Sequence, residues 1–406
     1  MSETERIVIV GASLAGARAA EGARESGFGG EIVLIGAEEE RPYERPPLSK
    51  DYLRGERDDL TWAHDESFYV ENDIDLRTST SVTAIDPPRR TVTIEGGETV
   101  PYDRLLLATG CEPRRIEIPG ADLEGVHYLR TAEDSGRLGQ RLEEGTRVAV
   151  VGAGWIGCEV AASARQRGCE VTLVEPAEVP LQGVLGRDLG GFFRDVHLER
   201  GVDFRGGTKV EAFEGERRVS AVATTAGTVA VDLVVVGIGV VPRTALAEEA
   251  GFGTNDGIPV DAALRTEVEG VYAAGDVANA FHPFYGERIR VEHWANARRQ
   301  GFAAGRSLAG REVSYQELPY FFSDQFDVGM EYTGHAAEWD EIVIRGDRSG
   351  GGGEFIAFWL KEDRVLAGMN VNVWDVAETI GELIRSKHPV DAAALADPDT
   401  DLNALA

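Results

Sequence analysis

The chain has 406 residues, and 70 acidic against 41 basic side chains give it a formal net charge of −29. That excess excludes nucleic acid as a partner, because neutralising phosphates needs a basic footprint, and it describes a strongly solvated surface. No apolar run approaches the ~20 residues of a membrane span, and the opening Met-Ser-Glu-Thr-Glu-Arg has no signal-peptide pattern, so a cytoplasmic protein without membrane contact is expected. The length suits about two or three domains. Cys111, Cys158 and Cys169 form no CxxC pair or metal-ligand spacing, and the seven histidines are scattered, so no metal is expected. Only four of the 41 basic residues are lysines: Lys50, Lys209, Lys361 and Lys387.

The apolar run Ile7–Val10 reads as a parallel strand covered on both faces. Gly11-x-Ser13-x-x-Gly16 follows and opens a helix from Leu14 to Ser26, stopped by Gly27. Glycines at such a turn let the backbone approach a pyrophosphate, and the helix N-terminus offers that anion unpaired N–H groups and a positive dipole. After a second strand, Glu31–Ile35, acids stand at Glu38, Glu39 and Glu40, near the spacing expected for a ribose-binding carboxylate. Alone, this pattern is also what a structural strand–helix turn needs.

From Asp51 to Val100 the chain reads as a connecting region with strands over Leu76–Ile85 and Arg90–Ile94. Tyr102 to Gly110 is another buried strand, after which a domain crossover is expected. The opening pattern then repeats. The strand Arg147–Val151 runs into Gly152-x-Gly154-x-x-Gly157, a helix spans Ile156–Arg167, and the strand Glu170–Val174 ends on Glu175. Two such units in one chain predict two dinucleotide sites. Further strands are expected over Arg218–Ala226 and Thr228–Val236, the latter running into Gly237-Ile238-Gly239, then over Gly270–Asp276, with a helix over Asn296–Leu308. From residue 312 the pattern becomes an antiparallel sheet (Asp327–Gly334, Ile342–Arg345, Phe355–Leu360, Val365–Asn370) with a Gly350–Gly353 loop. A helix over Asp375–Ser386 and a loosely docked or frayed tail from Asp391 complete it.

These segments resemble the flavin-dependent ferredoxin reductases of bacterial oxygenase systems, the putidaredoxin-reductase and aromatic-ring-dioxygenase-reductase type, over nearly the whole chain. The landmarks are Gly11–Gly16, Arg45-Pro-Pro-Leu-Ser-Lys50, Ala108-Thr109-Gly110, Tyr128-Leu-Arg-Thr131, Gly152–Glu159, Gly275-Asp276 and Phe322-Ser-Asp-Gln325. The resemblance implies an α/β fold with two Rossmann-like, glutathione-reductase-like dinucleotide-binding domains and a C-terminal α+β interface domain. The expected bounds are 1–112 and 241–311 for the FAD-binding domain, 113–240 for the NAD-binding domain and 312–406 for the interface domain.

By resemblance, FAD is contacted by Gly11, Ser13, Leu14, Ala15, Gly16, Glu38, Arg45, Lys50, Val82, Ala108, Thr109, Gly110, Arg130, Gly275, Asp276, Glu292 and Trp294. Asp276 matches the aspartate that binds the ribityl hydroxyls. Ala37 stands where relatives often carry the ribose-binding acid, and Glu38 is expected to replace it. NAD is contacted by Gly152, Gly154, Trp155, Ile156, Gly157, Glu159, Glu175, Gly237, Ile238 and Gly239. A carboxylate at Glu175 accepts from adenine-ribose hydroxyls and repels a 2′-phosphate, so NADH is preferred over NADPH.

Disulfide reductases of this architecture carry a cysteine pair where this chain has Pro46, Pro47 and Lys50, and NADH oxidases carry a single cysteine. The catalytic residues implied are therefore Lys50, near the flavin N5, and its acid partner Glu159. A buried ammonium beside the flavin ring would stabilise its anionic reduced form, and a carboxylate would limit the desolvation cost. Phe322 stands where relatives often have tryptophan. The resulting expectation is an NADH:ferredoxin oxidoreductase, monomer or weak homodimer, passing electrons from NADH through FAD to a 2Fe-2S ferredoxin that serves a cytochrome P450 or a ring-hydroxylating dioxygenase. Arg288, Arg290, Arg298, Arg299 and Arg306 are candidates for docking an acidic ferredoxin. A rubredoxin reductase, a flavin NADH oxidase, or an apoptosis-inducing-factor-like redox-switched binding protein are the alternatives, and the landmarks shared with the last specify architecture better than electron acceptor.

Overall fold

The computed structural model describes residues 5–350 and 352–406. The chain forms two compact units, each assembled from three stretches. The first contains the stretch ending at Glu44, then Leu60–Glu112 and Val241–Pro319, and the second contains Arg45–Asp59, Pro113–Val240 and Tyr320–Ala406. The units therefore differ from the expected bounds at two segments. Arg45–Asp59 belongs to the second unit because Leu53 is fully buried in that unit's core, while Ser135 and Ser163 donate to the Leu48 and Ser49 carbonyls at 2.7 and 2.6 Å. Residues 312–319 belong to the first because Tyr315 packs in its core and donates its hydroxyl to Asn296 Oδ1 at 3.0 Å.

The first unit is built on a parallel sheet ordered Val271–Ala273, Arg104–Leu107, Arg6–Val10, Glu31–Ile35, Ile74–Arg77. The inner strands are uninterrupted apolar runs because both faces are covered, one of them by the helices Leu14–Glu25 and Trp294–Leu308. These two helices touch closely: a Cβ on Gly301 would stand 2.3 Å from the Ala15 carbonyl oxygen, and one on Gly305 would stand 2.0 Å from that of Ala19. The single strand expected over Leu76–Ile85 is two, Ile74–Arg77 in this sheet and Val82–Asp86 in a three-stranded antiparallel one. The chain turns between them at Ser79, φ 47°, whose N–H and that of Thr80 bond the carbonyls of Glu38 and Gly36 at 2.8 Å.

The second unit carries a parallel sheet ordered Asp203–Arg205, Glu170–Val174, Arg147–Val151, Leu233–Val236, Val126–His127. The strand expected over Thr228–Val236 also divides. Gly227–Ala230 pairs in an antiparallel sheet with Ala221–Thr224, the strand within the Arg218–Ala226 segment, and Leu233–Val236 joins the parallel one. Asp232 makes the break, its carboxylate holding the Arg147 guanidinium at 2.7 and 3.0 Å. Sequence reading missed the helix Gln182–Glu199, whose glycines at 183, 186, 190 and 191 read as loop. It forms because Leu185, Leu189, Phe192, Phe193 and Val196 make one buried face, and it bends at Gly186, φ 80°.

The C-terminal part of this unit is a five-stranded antiparallel sheet ordered Tyr320–Gln325, Val328–Gly334, Arg364–Val371, Glu354–Lys361, Glu341–Asp347, followed by the helix Ala377–Ser386. Phe355 meets Phe192 edge to face at 5.1 Å, so this sheet and the Gln182–Glu199 helix share one core. The tail is not frayed. Arg345 donates to the carbonyls of Asp397, Pro398 and Thr400 at 2.6, 2.9 and 2.7 Å, and Leu395 and Leu402 are buried. Arg345→Met removes three charge-assisted bonds, each worth about 1 kcal/mol or more. It is expected to make residues beyond Asp391 readily cleaved in limited proteolysis while the rest of the chain resists, and cleavage no faster than in wild type would contradict the clamp.

Candidate functional site

In the first unit the glycine turn is dictated by sterics. Gly11 has φ 118°, and a Cβ there would lie 2.1 Å from the Ala108 carbonyl oxygen. Gly16 is bound as tightly, since its Cβ would lie 2.0 Å from the Gly11 oxygen. The turn thus packs against Ala108-Thr109-Gly110, where Thr109 Oγ1 donates to the Arg243 carbonyl at 2.8 Å. Ser13 is the extended N-cap of the helix that Leu14 and Ala15 begin. Gly275 approaches Ala15, and its N–H bonds Gln300 Oε1 at 2.8 Å, which fixes the loop carrying Asp276. The Asp276 carbonyl accepts from Arg290, whose guanidinium also pairs with Glu292 at 2.5 Å, just before Trp294. Glu38 accepts a hydrogen bond from the buried Tyr43 hydroxyl, a partner that sequence reading missed and that fixes this acid at the strand end. Val82 packs on the same core from the three-stranded sheet. A backbone cradle at a helix N-terminus with acids at two strand ends fits the pyrophosphate and hydroxyls of FAD.

The second unit repeats the geometry. Gly152 has φ 96° and would put a Cβ 2.4 Å from the Gly237 oxygen, while a Cβ on Gly157 would meet the Gly152 oxygen at 1.9 Å. The same point beside Gly152 is 3.3 Å from Ile238, and Gly239 continues the loop. Gly154 differs. It caps the helix Trp155–Gln166, is exposed, and has open space where a Cβ would sit. Nothing among the described residues requires glycine there, whereas a pyrophosphate approaching the N–H groups would. Glu175 accepts from the N–H groups of Ala153 and Ala177 at 2.7 and 2.9 Å, so the acid is locked to the glycine turn. Ile156 is 47% exposed beside it, and Trp155 is half-buried against Phe321 at 5.0 Å.

The catalytic candidates meet inside the second unit. Lys50 Nζ lies 2.8 Å from Glu159 Oε2, with side-chain exposures of 13% and 3%, and Lys50 also donates to the Pro46 carbonyl at 3.2 Å. Ser49 Oγ donates to Glu159 Oε2 at 2.5 Å and Ser323 Oγ to Oε1 at 2.7 Å. Gln325 Nε2 donates to Ser323 Oγ at 3.3 Å, and Gln325 Oε1 accepts from His197 Nε2 at 3.0 Å. The ammonium stands 5.5 Å from the centre of the Phe322 ring. Burial holds the neighbouring Asp324 carboxyl above its ordinary range, with Lys50 opposing and Glu159 reinforcing the shift. Arg45 and Arg130 are brought together in this unit, the Arg45 guanidinium donating to the Arg130 carbonyl. Of the network only Lys50 and Glu159 were anticipated as catalytic. Ser49, Ser323, Gln325 and His197 were missed, although Ser323 and Gln325 alternate with Phe321 as one face of a strand does.

All three cysteines are buried. Burial, reinforced by Glu159 and Glu175, pushes the Cys158 thiol up. Among the described residues no group of histidine, cysteine and acids could hold a metal ion, and no helix is long and apolar enough to cross a membrane. Of the expected arginines, Arg290 is half-buried and held by the Asp276 carbonyl, Asp256 and Glu292. Arg288 is exposed and donates to the Asn279 carbonyl, and Arg298, Arg299 and Arg306 are exposed along one helix.

Two outcomes follow from this geometry. Gly154→Ala is expected to leave thermal stability within about 0.5 kcal/mol of wild type while raising the KM for NADH about ten-fold or more, and steady-state kinetics with an unchanged KM would remove the site from the pyrophosphate path. Burial holds the His197 ring down to about 4, from an ordinary 6.5, and His293 in the first unit likewise. Above pH 6.5 these rings are neutral folded or unfolded, and their contribution is intact. As pH falls from 6.5 to 4 the unfolded chain takes up protons the folded chain refuses, so stability declines, by up to about 3 kcal/mol per ring. Urea unfolding at pH 7 and pH 4.5 should show a smaller part of this decline in His197→Gln, and an identical decline would contradict the assignment.

The family model for pyridine nucleotide-disulphide oxidoreductases matches residues 5–301, and that for the reductase C-terminal domain matches residues 320–406. The chain is 39% identical over 398 residues to the anthranilate 1,2-dioxygenase system ferredoxin–NAD(+) reductase component of Burkholderia cepacia, covering 97% of this chain and 98% of that one. Its fold superposes with a TM-score of 0.94 on the reductase in the covalent putidaredoxin reductase–putidaredoxin complex, at 34% identity and covering 99% and 98% of the two chains. It superposes equally, at 0.94, on the ferredoxin reductase for the CYP199A2 system from Rhodopseudomonas palustris, at 35% identity over 99% and 100%.

Proposed function

We propose, for a chain that belongs to the pyridine nucleotide-disulphide oxidoreductase family, that it is an NADH:ferredoxin oxidoreductase supplying electrons to an oxygenase. The family's cofactors are FAD and NAD(H), and the two glycine cradles fit them. When bound, FAD takes a hydride from NADH and releases electrons one at a time. The observation that carries the reading is the cysteine-free Arg45–Lys50 segment, which delivers Lys50 to the buried Glu159 carboxylate instead of a thiol pair. With no thiol to receive electrons there, an external one-electron carrier is the acceptor. The full-length similarity to reductases of ferredoxin-dependent oxygenase systems supports a 2Fe-2S ferredoxin in that role, feeding a cytochrome P450 or a ring-hydroxylating dioxygenase.

The protein residues bind, orient and tune. Glu175, already anchored by two N–H groups, accepts from the adenine-ribose hydroxyls and disfavours a 2′-phosphate. Asp276 and Glu38 take the corresponding hydroxyls of FAD. Lys50 places a positive charge where reduction of the flavin adds negative charge, and the ion pair with Glu159 offsets part of the cost of burying it. Arg298, Arg299 and Arg306 give a net-acidic protein a local positive stripe for an acidic ferredoxin. We place the protein in the cytoplasm.

The test is anaerobic mixing of the holoprotein with NADH, a 2Fe-2S ferredoxin and cytochrome c. Cytochrome reduction should require the ferredoxin, run far better with NADH than NADPH, and show a ferredoxin KM that rises with salt and rises about ten-fold in Arg298→Glu/Arg299→Glu. Electrons passing only to oxygen, or a slow flavin reduction with a long-lived reduced state that ignores ferredoxin, would overturn the reading.

A further inference from the structure

The hydrogen-bond chain behind Glu159 runs in one direction. Gln325 Oε1 can only accept, so the proton of its bond to His197 sits on Nε2 of the imidazole. That fixes the amide with its NH2 toward Ser323 Oγ, which accepts it and therefore spends its single proton on Glu159 Oε1. Ser49 spends its proton on Oε2, where Lys50 also donates. Among the described residues, each hydrogen-bonding partner of this carboxylate is a donor, and each link in the chain is buried: Glu159 3%, Ser323 1%, Gln325 and His197 0%. The reverse order would leave a serine oxygen lone pair against a buried carboxylate, a costly contact. With Ser49, these residues come from four separate parts of the fold, the helices Trp155–Gln166 and Gln182–Glu199, the strand Tyr320–Gln325, which supplies two of them, and the Ser49 segment.

We infer that Gln325 and His197 are positioning residues for the NADH-to-flavin step: through Ser323 they aim the Glu159 carboxylate and hold it as an acceptor for Lys50. His197 suits this task because it is neutral, with a single N–H at the nitrogen that faces Gln325. Its other ring nitrogen finds no hydrogen-bond partner among the described residues, so the bond to Gln325 is the one that orients the ring. Neither residue touches the reacting atoms. The inference rests on the proposed participation of Lys50 and Glu159.

The test is single-turnover flavin reduction by NADH in FAD-loaded variants, with thermal melting and FAD content recorded alongside. Gln325→Leu should lower the limiting rate roughly ten-fold, as loss of one buried hydrogen bond that orders others would, with a smaller change in the NADH concentration for half-maximal rate. His197→Leu should do the same, and His197→Gln, whose amide can supply the N–H, should return to within about two-fold of wild type. In a Glu159→Gln background Gln325→Leu should add less than about two-fold, because its effect passes through that carboxylate. Unchanged rates in Gln325→Leu, or equal slowing in both backgrounds, would overturn the inference and leave the chain purely structural. If Glu159→Gln alone leaves the rate unchanged, the catalytic reading of the Lys50 pair falls, and the inference with it.

Discussion

A carboxylate taken almost wholly out of water organises the second unit. Glu159 sits on the first turns of a helix whose preceding strand and glycine turn are fixed by backbone contacts. A buried ion of this kind is strongly unfavourable unless it is paired and its lone pairs are filled. The fold meets that demand with Lys50, Ser49 and Ser323, which explains several otherwise separate features. The segment Arg45–Asp59 must leave the first unit's stretch of chain and join the second, because it carries two of the donors. The strand Tyr320–Gln325 must lie against the Trp155–Gln166 helix, because it carries the third. The kinked Gln182–Glu199 helix supplies His197 and packs Phe193 against Trp155 of the helix that carries Glu159 and Phe192 against Phe355.

The same arrangement separates binding from chemistry. The glycine turns are backbone devices, set by close approach to Ala108 in one unit and Gly237 in the other, and they can hold pyrophosphates whatever stands in the reacting centre. In the proposed function, the Arg45–Lys50 segment sets what the reduced cofactor does next. An ammonium held by a carboxylate can only stabilise charge, whereas a thiol there could accept two electrons and form a bond. The buried cysteines elsewhere do not replace it, and Cys158, though adjacent to Glu159 in sequence, has its thiol held up by burial and by that same carboxylate.

Much of this is legible in the sequence where one local rule dominates. Gly11-x-Ser13-x-x-Gly16 and Gly152-x-Gly154-x-x-Gly157, each between an apolar run and a helix, announced their units because close backbone approach admits almost no other residue. Glu175 was legible from its place at a strand end, but its two N–H anchors were not. Where two rules competed, the pattern misled. Val231-Asp232 looked like part of one long strand because the apolar alternation is continuous, yet the Asp232–Arg147 pair moves the chain between sheets. Gln182–Glu199 was hidden by four glycines whose cost the buried aromatic face overcomes. The tail's composition suggested fraying, and a single arginine from a distant strand holds it. Ser323 and Gln325 share one strand face, but their meeting with Ser49, His197 and Glu159 could not be read from sequence, since it arises only after distant segments fold together.

The most direct measurement is the anaerobic rate of flavin reduction by NADH in Lys50→Met, compared with wild type at equal FAD content. The account predicts a rate lower by about ten-fold or more, the size expected when one preorganised charge is removed from a water-poor site, with NADH binding little changed. A wild-type rate in the variant would contradict it, because the Lys50–Glu159 pair would then be only a structural filling of the second unit.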